Sequence, residues 1–460
     1  MTGKVQAWSS NRAFILAVTG AAVGLGNIWR FPYMAGENGG SAFILLYLLF
    51  MLVMGLPVMI AEIAIGRAGR AGPMLAIMGL ARDAGASLKW RYLAVFGGVT
   101  LFLILSFYSM VSGWSLAYLT KSLSGDFAGQ TPEVIGGIFG GFLNDPWLLL
   151  LCHSAFLVMT LAVVAAGVNK GLEQLNNYLM PLLYLLLVLL AIYAVTTAGF
   201  GQALRYLFWP NPDALSWKVA LEAMGQAFFT LAVGACALMA YGAYMPVQQS
   251  LPRAVLLVAI LDVAVALLAG IAIFSVVFTH GLAPNSGPGL MFVTLPIAFS
   301  DLPAGLFLTA AFFLLLLMAT WTSSINLAEP LVVMLVDRGI SRLNATLLMG
   351  LGVWLLGGLA ALSFNVLGEF YPLAFLGGIF ANKTTFDLIS TIPPDIFLPL
   401  GGFLIAVFAV YIMPIASIRD AVGGASPKFY LLWRKVTTQL AIPLTGLVLM
   451  VSLLKLWEVL

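Results

Sequence analysis

Eleven long apolar runs divide this sequence, and they constrain its fold more than any other feature. They cover approximately residues 11–37, 41–66, 90–121, 147–168, 175–199, 217–244, 252–279, 304–335, 344–364, 385–415 and 432–457. A helix of roughly 20 apolar residues crosses a bilayer, so every run is long enough to span one. Only 8% of the residues are charged, whereas soluble chains carry about a quarter. The sequence therefore predicts a protein whose main solvent is lipid.

Backbone groups in lipid must be satisfied within the protein, which leaves helix bundles and closed barrels as spanning structures. Barrel strands are short and alternate apolar with polar residues, and these runs do not. We therefore predict an all-α integral membrane protein with 11 transmembrane helices. Cys152, Cys236, His153 and His280 are scattered through the chain. They form no metal-ligand or acid–base pattern, so we predict neither an enzyme nor a nucleic-acid partner.

Lys and Arg indicate the orientation of the chain in the membrane. Most of them fall in the connections that are cytoplasmic if the N-terminus is inside, as the positive-inside rule requires. An odd number of spans then places the C-terminus outside. We expect a multi-pass protein of the inner (cytoplasmic) membrane.

Small residues interrupt the first and sixth runs at corresponding places, at residues 20–27 and 232–235. Interruptions five spans apart are typical of an inverted repeat with its binding site at the breaks. Glycines in membrane helices can also serve close packing alone, but here polar Asn27 and Thr230 accompany them. We predict one transporter domain with repeats at 11–199 and 217–415 and an eleventh helix at 432–457. We expect the buried acid Glu62 to hydrogen-bond the opened backbone of the first and sixth spans, or alternatively to act as a polar clamp between helices.

Five stretches carry a resemblance to a known family. They read AVGLGNIWRFP (Ala22–Pro32), NGGSAF (Asn38–Phe43), GLPVMIAEIAIGR (Gly55–Arg67), GQAFFTLAVG (Gly225–Gly234) and TWTSSINLAEP (Thr320–Pro330). They resemble signature stretches of the neurotransmitter:sodium symporter family, and matching segments run from Trp8 to Ser417. The resemblance implies a LeuT-type 5+5 inverted-repeat helix bundle with an eleventh helix. It also implies sodium-coupled symport of an amino acid by alternating access.

The resemblance further implies two sodium sites. The first would use the Ala22 carbonyl, the Asn27 side chain, Thr230, Asp262 and the carboxylate of the substrate. The second would use the carbonyls of Gly20, Val23 and Ala319 and the hydroxyls of Thr322 and Ser323. All of these ligands are oxygens, as a hard cation prefers.

Asp262 departs from the pattern of many animal members, which have asparagine at this position. Those members also have a chloride-binding serine one turn later, where this chain has Ala266. A fixed carboxylate beside the first sodium site supplies the negative charge that chloride otherwise brings. We therefore expect no chloride requirement. The alternative is an aspartate near a helix end that reaches the membrane interface.

Gly24 stands where monoamine carriers of the family have an aspartate for the substrate amine. The substrate would then bring its own carboxylate to the sodium, with a hydrogen bond from Tyr108. The residues implied to bind substrate are Ala22, Gly24, Gly26, Ile104, Tyr108, Phe229, Thr230, Ala232, Ala235, Ser323 and Leu327. Because the side-chain pocket is apolar apart from Ser323, we expect a neutral, hydrophobic or aromatic α-amino acid.

The gates match the family less well. On the outer side the resemblance implies Arg30 and Phe229, with Gln226 bracing Arg30. The usual acidic partner is Ser390 here, and Asp387 is the nearest replacement. On the inner side Asp337 and Tyr244 match, but the usual arginine is Val5 and Lys4 is the nearest cation. These departures leave the salt bridge of each gate open. Each gate is either weaker than in the family or uses the displaced neighbour.

The displaced gate residues motivate a second hypothesis, a non-transporting amino-acid sensor on the same scaffold. A sensor would usually carry a long cytoplasmic tail for its partner, and the tail here is short and predicted to be outside. The transporter interpretation is therefore favoured. The expected partners are an amino acid, Na+ and the lipid bilayer, and the sequence leaves the oligomeric state open.

Overall fold

The structure is a computed structural model that describes residues 8–246, 248–284, 289–300, 304–423 and 426–456. Within these ranges the chain is helical and contains no β-strand. Nine described helices are long and apolar enough to span a membrane. They are Ser41–Gly69, Leu88–Leu123, Pro146–Ala166, Val168–Val195, Leu251–Thr279, Gly305–Val336, Arg342–Leu362, Thr385–Ile412 and Pro427–Leu454.

Two further spans are broken. The first consists of Asn11–Ala22 and Gly26–Glu37, which are bent by 48° relative to each other. The sixth consists of Trp217–Thr230 and Ala237–Ala243, with 14 and 7 residues, each too short to cross alone. Together with the nine continuous helices they account for the eleven predicted spans, and the predicted fold class is confirmed. Hereafter the spans are numbered in chain order.

The first span opens because its backbone finds partners outside the helix ladder. Val23 leaves the helix in an extended conformation, and a π-helical turn restarts the span at Gly26. The N–H of Gly24 donates to Asn27 Oδ1 at 3.1 Å instead of to a carbonyl one turn earlier. A side chain three residues ahead thus replaces a helical bond.

The sixth span opens through backbone of the left-handed region. Ala232, Gly234 and Cys236 have φ of 51°, 98° and 60°. Glu62 of the second span accepts the N–H of Gly234 and the N–H of Leu238, each at 2.9 Å. The expected support of the opened backbone by Glu62 is present in the sixth span.

Packing places both breaks at the centre of the bundle. The third and eighth spans share the most extensive helix contact, and the inner half of the sixth packs on the second. Shorter helices, at Pro73–Asp83, Pro132–Asn144, Phe200–Phe208, Leu295–Ser300 and Ile415–Gly423, lie in the connections. Leucines such as Leu185 and Leu347 are more than half exposed on the outside, as expected for a lipid-facing surface.

Some predicted boundaries are wrong. The fifth span begins at Val168 rather than near residue 175, since a π-helical turn at Val168–Glu173 continues the helix through polar Asn169 and Lys170. The eleventh span begins at Pro427 rather than near residue 432. Hydropathy detects the stretch within lipid, whereas hydrogen bonding carries helices beyond it. Residue 457 lies outside the described ranges.

Candidate ion and substrate site

A buried polar cluster joins the first, sixth and seventh spans. Asn27 Nδ2 donates to Asp262 Oδ1 at 2.7 Å and to Thr230 Oγ1 at 3.0 Å. Thr230 Oγ1 donates to Asp262 Oδ2 at 2.9 Å. All three residues have no exposed surface. Three of the residues expected at the first sodium site therefore lie in hydrogen-bond contact, although they are up to 235 residues apart.

Asp262 is a carboxylate at membrane depth that forms no ion pair with any Lys or Arg of the described chain. A buried charge without a basic partner is costly and indicates a functional site. Tyr47 approaches its other face, with the hydroxyl 3.5 Å from Asp262 Oδ2. The oxygens of Asp262 and Thr230 fit a hard monovalent cation by their chemistry.

A second group of oxygens lies where the eighth span crosses the first. Thr322 Oγ1 donates to the Ala319 carbonyl at 3.0 Å. Ser323 Oγ donates to the Ala21 carbonyl of the first span at 3.2 Å. The groups of the eighth span that are expected at the second sodium site thus lie next to each other. They lie beside the end of helix Asn11–Ala22.

A small cavity lies between the two breaks. Its lining consists of Ala21, Ala22, Gly26, Leu101, Ile104, Tyr108, Phe229, Ala232, Ala235, Ser323, Leu327 and Leu398. All residues expected to bind substrate border it except Gly24 and Thr230. Ala21, Leu101 and Leu398 border it as well and were not predicted, because an apolar residue in an apolar span carries no sequence signal of its own.

Tyr108 and the opened backbone form the polar end of this cavity. The Tyr108 hydroxyl accepts the N–H of Leu25 at 2.8 Å. A Cβ atom on Gly24 would contact that hydroxyl and would lie 2.8 Å from Ser323 Oγ. A side chain at Gly24 would therefore require the Tyr108 and Ser323 side chains to move.

Arg30, predicted to lie at the outer gate, lies beside the cavity and against Phe229 of its lining. Its Nη2 forms an ion pair with Asp395 Oδ1 at 2.7 Å, and its guanidinium lies 5.0 Å from the centroid of the Phe229 ring. Cation–π contact and charge pairing act together here. The arginine is 7% exposed, so the cavity is covered from this side.

Two expectations for the outer gate are wrong. Asp387 does not reach Arg30, because its carboxylate accepts from the N–H and the hydroxyl of Thr384 in a capping box at the start of the tenth span. Gln226 donates to the Gly26 carbonyl at 2.8 Å rather than bracing Arg30. A capping acid is already satisfied within its own helix turn, whereas Asp395 lies further along the tenth span.

On the side predicted to be cytoplasmic, Trp8 makes neutral contacts with the sixth span. The N–H of Trp8 donates to the Tyr244 carbonyl at 3.2 Å, and the Trp8 ring stacks on Tyr241 at 5.6 Å. Trp8 is only 3% exposed. Asp337 forms no ion pair with another described residue. Lys4 lies outside the described residues.

Glu173 adds a contact to the inner closure that sequence reasoning missed. Its carboxylate accepts from the backbone N–H and the hydroxyl of Ser9. The segment that precedes the first span is thereby bound to the start of the fifth. Glu173 is the single acid among the polar residues at 169–174, but no spacing rule links it to Ser9.

Comparison with known proteins gives consistent matches over most of the chain. The profile of the sodium:neurotransmitter symporter family matches residues 5–133 and 143–392. A protein named as an uncharacterized sodium-dependent transporter of Bacillus subtilis is 35% identical over 403 residues, which cover 87% of this chain and 86% of the relative. A sodium- and chloride-dependent GABA transporter 2 of Macaca fascicularis is 28% identical over 422 residues, or 79% of this chain and 67% of the relative.

A solved structure has the same architecture. The crystal structure of MhsT in complex with L-phenylalanine superimposes with a TM-score of 0.89 at 39% sequence identity. The match covers 97% of this chain and 99% of MhsT.

Proposed function

The chain belongs to the sodium:neurotransmitter symporter family of sodium-dependent transporters, and from this premise we propose that it carries neutral α-amino acids with apolar or aromatic side chains together with sodium. The cavity between the breaks is the observation that carries the proposal. Its walls are apolar, and its polar groups gather at one end. An α-amino acid has the matching division between a charged head and an apolar side chain.

The charged head of the substrate binds at the first break. The Tyr108 hydroxyl accepts from Leu25 and, as an O–H group, can also donate to a carboxylate. The side chain extends toward Leu101, Ile104 and Leu398, which provide no charge. The complex of MhsT with L-phenylalanine supports an aromatic amino acid as the first substrate to test.

Two sodium ions accompany the substrate. The first binds the Ala22 carbonyl, Asn27, Thr230, Asp262 and the substrate carboxylate; the second binds the carbonyls of Gly20, Val23 and Ala319 with Thr322 and Ser323. The Asn27 amide points its Nδ2 at Asp262 and rotates to present its oxygen when a cation enters. Since the substrate carboxylate ligates the first ion, each ligand raises the affinity for the other.

Chloride is not required. Asp262 supplies a carboxylate of the chain itself beside the first ion, and the buried Ala266 offers no hydroxyl for an anion. We expect uptake with gluconate in place of chloride to equal uptake in chloride. A large loss of uptake in gluconate contradicts this assignment.

Transport proceeds by alternating access in the cytoplasmic membrane, with the N-terminus inside. The repeats at 11–199 and 217–415 place one broken helix on each side of the cavity, so rocking of the broken helices opens Arg30–Asp395 or the Trp8 contacts in turn.

Purified protein in proteoliposomes tests the proposal. Labelled L-phenylalanine is competed with each of the twenty amino acids, with and without an inward sodium gradient. We expect sodium-driven accumulation that apolar and aromatic amino acids inhibit and that acidic and basic ones do not. Binding without accumulation indicates the amino-acid sensor instead, which the unpaired Asp337 of the inner side would favour.

A further inference from the structure

Two buried asparagines converge on the first span just before its break. Asn176 belongs to the fifth span and is 1% exposed, and Asn326 belongs to the eighth and has no exposed surface. A Cβ atom on Gly20 would lie 2.5 Å from Asn176 Oδ1 and 3.0 Å from Asn326 Nδ2. Both amides therefore contact the same face of Gly20.

Asn326 is fully engaged by its surroundings. Its Nδ2 donates to the Thr322 carbonyl at 2.8 Å, and its Oδ1 accepts from the Tyr241 hydroxyl. The Tyr241 ring in turn stacks on Trp8 of the inner closure. Asn326 therefore acts as a polar clamp between the sixth and eighth spans, the ordinary role of asparagine in a helix bundle.

Asn176 differs because neither Oδ1 nor Nδ2 has a hydrogen-bond partner within the described part of the chain. A buried amide with both polar groups unsatisfied is costly and is rare in folded proteins. The clamp role does not explain it, since a clamp needs a partner. The side chain contacts Gly20, whose carbonyl is one of the oxygens of the proposed second sodium site.

The ligand that suits Asn176 is small and both donates and accepts hydrogen bonds. Water meets both conditions, and buried waters occupy sites that offer such unsatisfied groups. A hard cation readily keeps water among its oxygen ligands. We propose that Asn176 holds a water molecule that completes the coordination of the sodium ion at the second site. This inference rests on the proposed sodium-coupled function.

The test measures L-phenylalanine binding to the purified full-length protein as a function of sodium concentration. Asn176→Leu keeps the side-chain size but cannot hold water, and we expect the sodium concentration for half-maximal binding to rise about tenfold, as for the loss of a group that orients a metal ligand. The Kd for L-phenylalanine at saturating sodium stays unchanged. Asn176→Ser, which keeps a donor, an acceptor and space for water, stays close to wild type.

Asn177 provides the matched control, since it is the next residue of the same span and is only half-buried. Asn177→Leu leaves the sodium dependence unchanged. The inference is overturned if Asn176→Leu has the sodium dependence of wild type, if Asn176→Ser is impaired tenfold, or if the Kd at saturating sodium weakens in parallel. Should Asn176→Leu not fold, Asn176→Val, which likewise offers no donor or acceptor, takes its place with the same expected rise in the sodium concentration for half-maximal binding. If L-phenylalanine binding to the wild-type protein does not depend on sodium, the proposed function itself is refuted.

Discussion

The breaks in the first and sixth spans border the same cavity, but their exposed backbone groups find different kinds of partner. In the first break, Gly24 donates to the Asn27 side chain and Leu25 donates to Tyr108. In the sixth, Gly234 and Leu238 both donate to Glu62. The Asn27 amide and the Tyr108 hydroxyl can exchange one hydrogen-bond partner for another. Both oxygens of the Glu62 carboxylate, in contrast, already accept a backbone N–H.

This difference assigns separate roles to the two breaks. The partners of the first break can also contact an ion or a substrate, so the first break is adaptable and serves binding. The N–H groups of the sixth break are held by Glu62 of the second span, so the sixth break maintains the shape of the cavity. Substitutions at the first break should change affinity, and those at the sixth should change stability.

The largest expected effect is on stability, in Glu62→Ala. Two buried N–H groups lose their acceptor, at about 1–3 kcal/mol each, and the apparent Tm in detergent should fall markedly. Glu133→Ala is the control, because Glu133 is exposed and its loss should leave the Tm unchanged. An unaltered Tm in Glu62→Ala would contradict the structural role that we assign to the sixth break.

Gly24→Ala probes the first break by adding one methyl group. The new Cβ would lie 2.7 Å from Ser323 Cβ and against the Tyr108 hydroxyl, and overpacking of this kind costs about 1–3 kcal/mol. We expect L-phenylalanine affinity to fall about tenfold or more with little change in Tm. Gly79→Ala, at a site with open space around it, should bind normally. A loss of Tm without loss of affinity contradicts the assigned roles.

Tyr108→Phe removes only the hydroxyl at the polar end of the cavity. The lost hydrogen bonds are worth about 1 kcal/mol, which corresponds to a Kd several-fold weaker for L-phenylalanine. Tyr92→Phe, at an exposed tyrosine, serves as the control in the same equilibrium-binding assay. Equal affinities of Tyr108→Phe and wild type would exclude contact between this hydroxyl and the substrate.

The smallest expected effect is a gain in stability from Ala232→Gly. Ala232 has φ of 51°, and left-handed backbone costs a residue with a Cβ about 1–2 kcal/mol. The greater freedom of glycine in the unfolded chain offsets part of this gain. The Tm should rise by a small amount, whereas Ala237→Gly, in regular helix, should lower it. A fall in both variants would show that the sixth break carries no strain at Ala232.

The two closures differ in the same way as the two breaks. Arg30 and Asp395 form an ion pair over the cavity, whereas Trp8 and Ser9 close the inner side through an aromatic stack and neutral donors. The sequence predicted Arg30 as the outer cation, and the structure pairs this arginine with an acid. The sequence assigned the wrong acid, because Asp387 and Asp395 both lie near the start of the tenth span and only their packing distinguishes them.

The sequence by itself determined the helical class, the spans and the position of both breaks. These are local properties, since the cost of burying charge in lipid and the conformational freedom of small residues depend on the residue and its near neighbours. The Asn27 contact with Gly24 is also local, because it joins residues three positions apart, but the sequence did not predict it.

Only the tertiary structure decided which distant group each exposed atom meets. The Arg30 pair with Asp395 spans 365 residues, and the Ser9 contact with Glu173 spans 164. Asn176 is one asparagine among several in the sequence, and only its contact with Gly20 indicates a role at the second sodium site. Such partners depend on the rotation and crossing of whole helices, which are set by the packing of many side chains together.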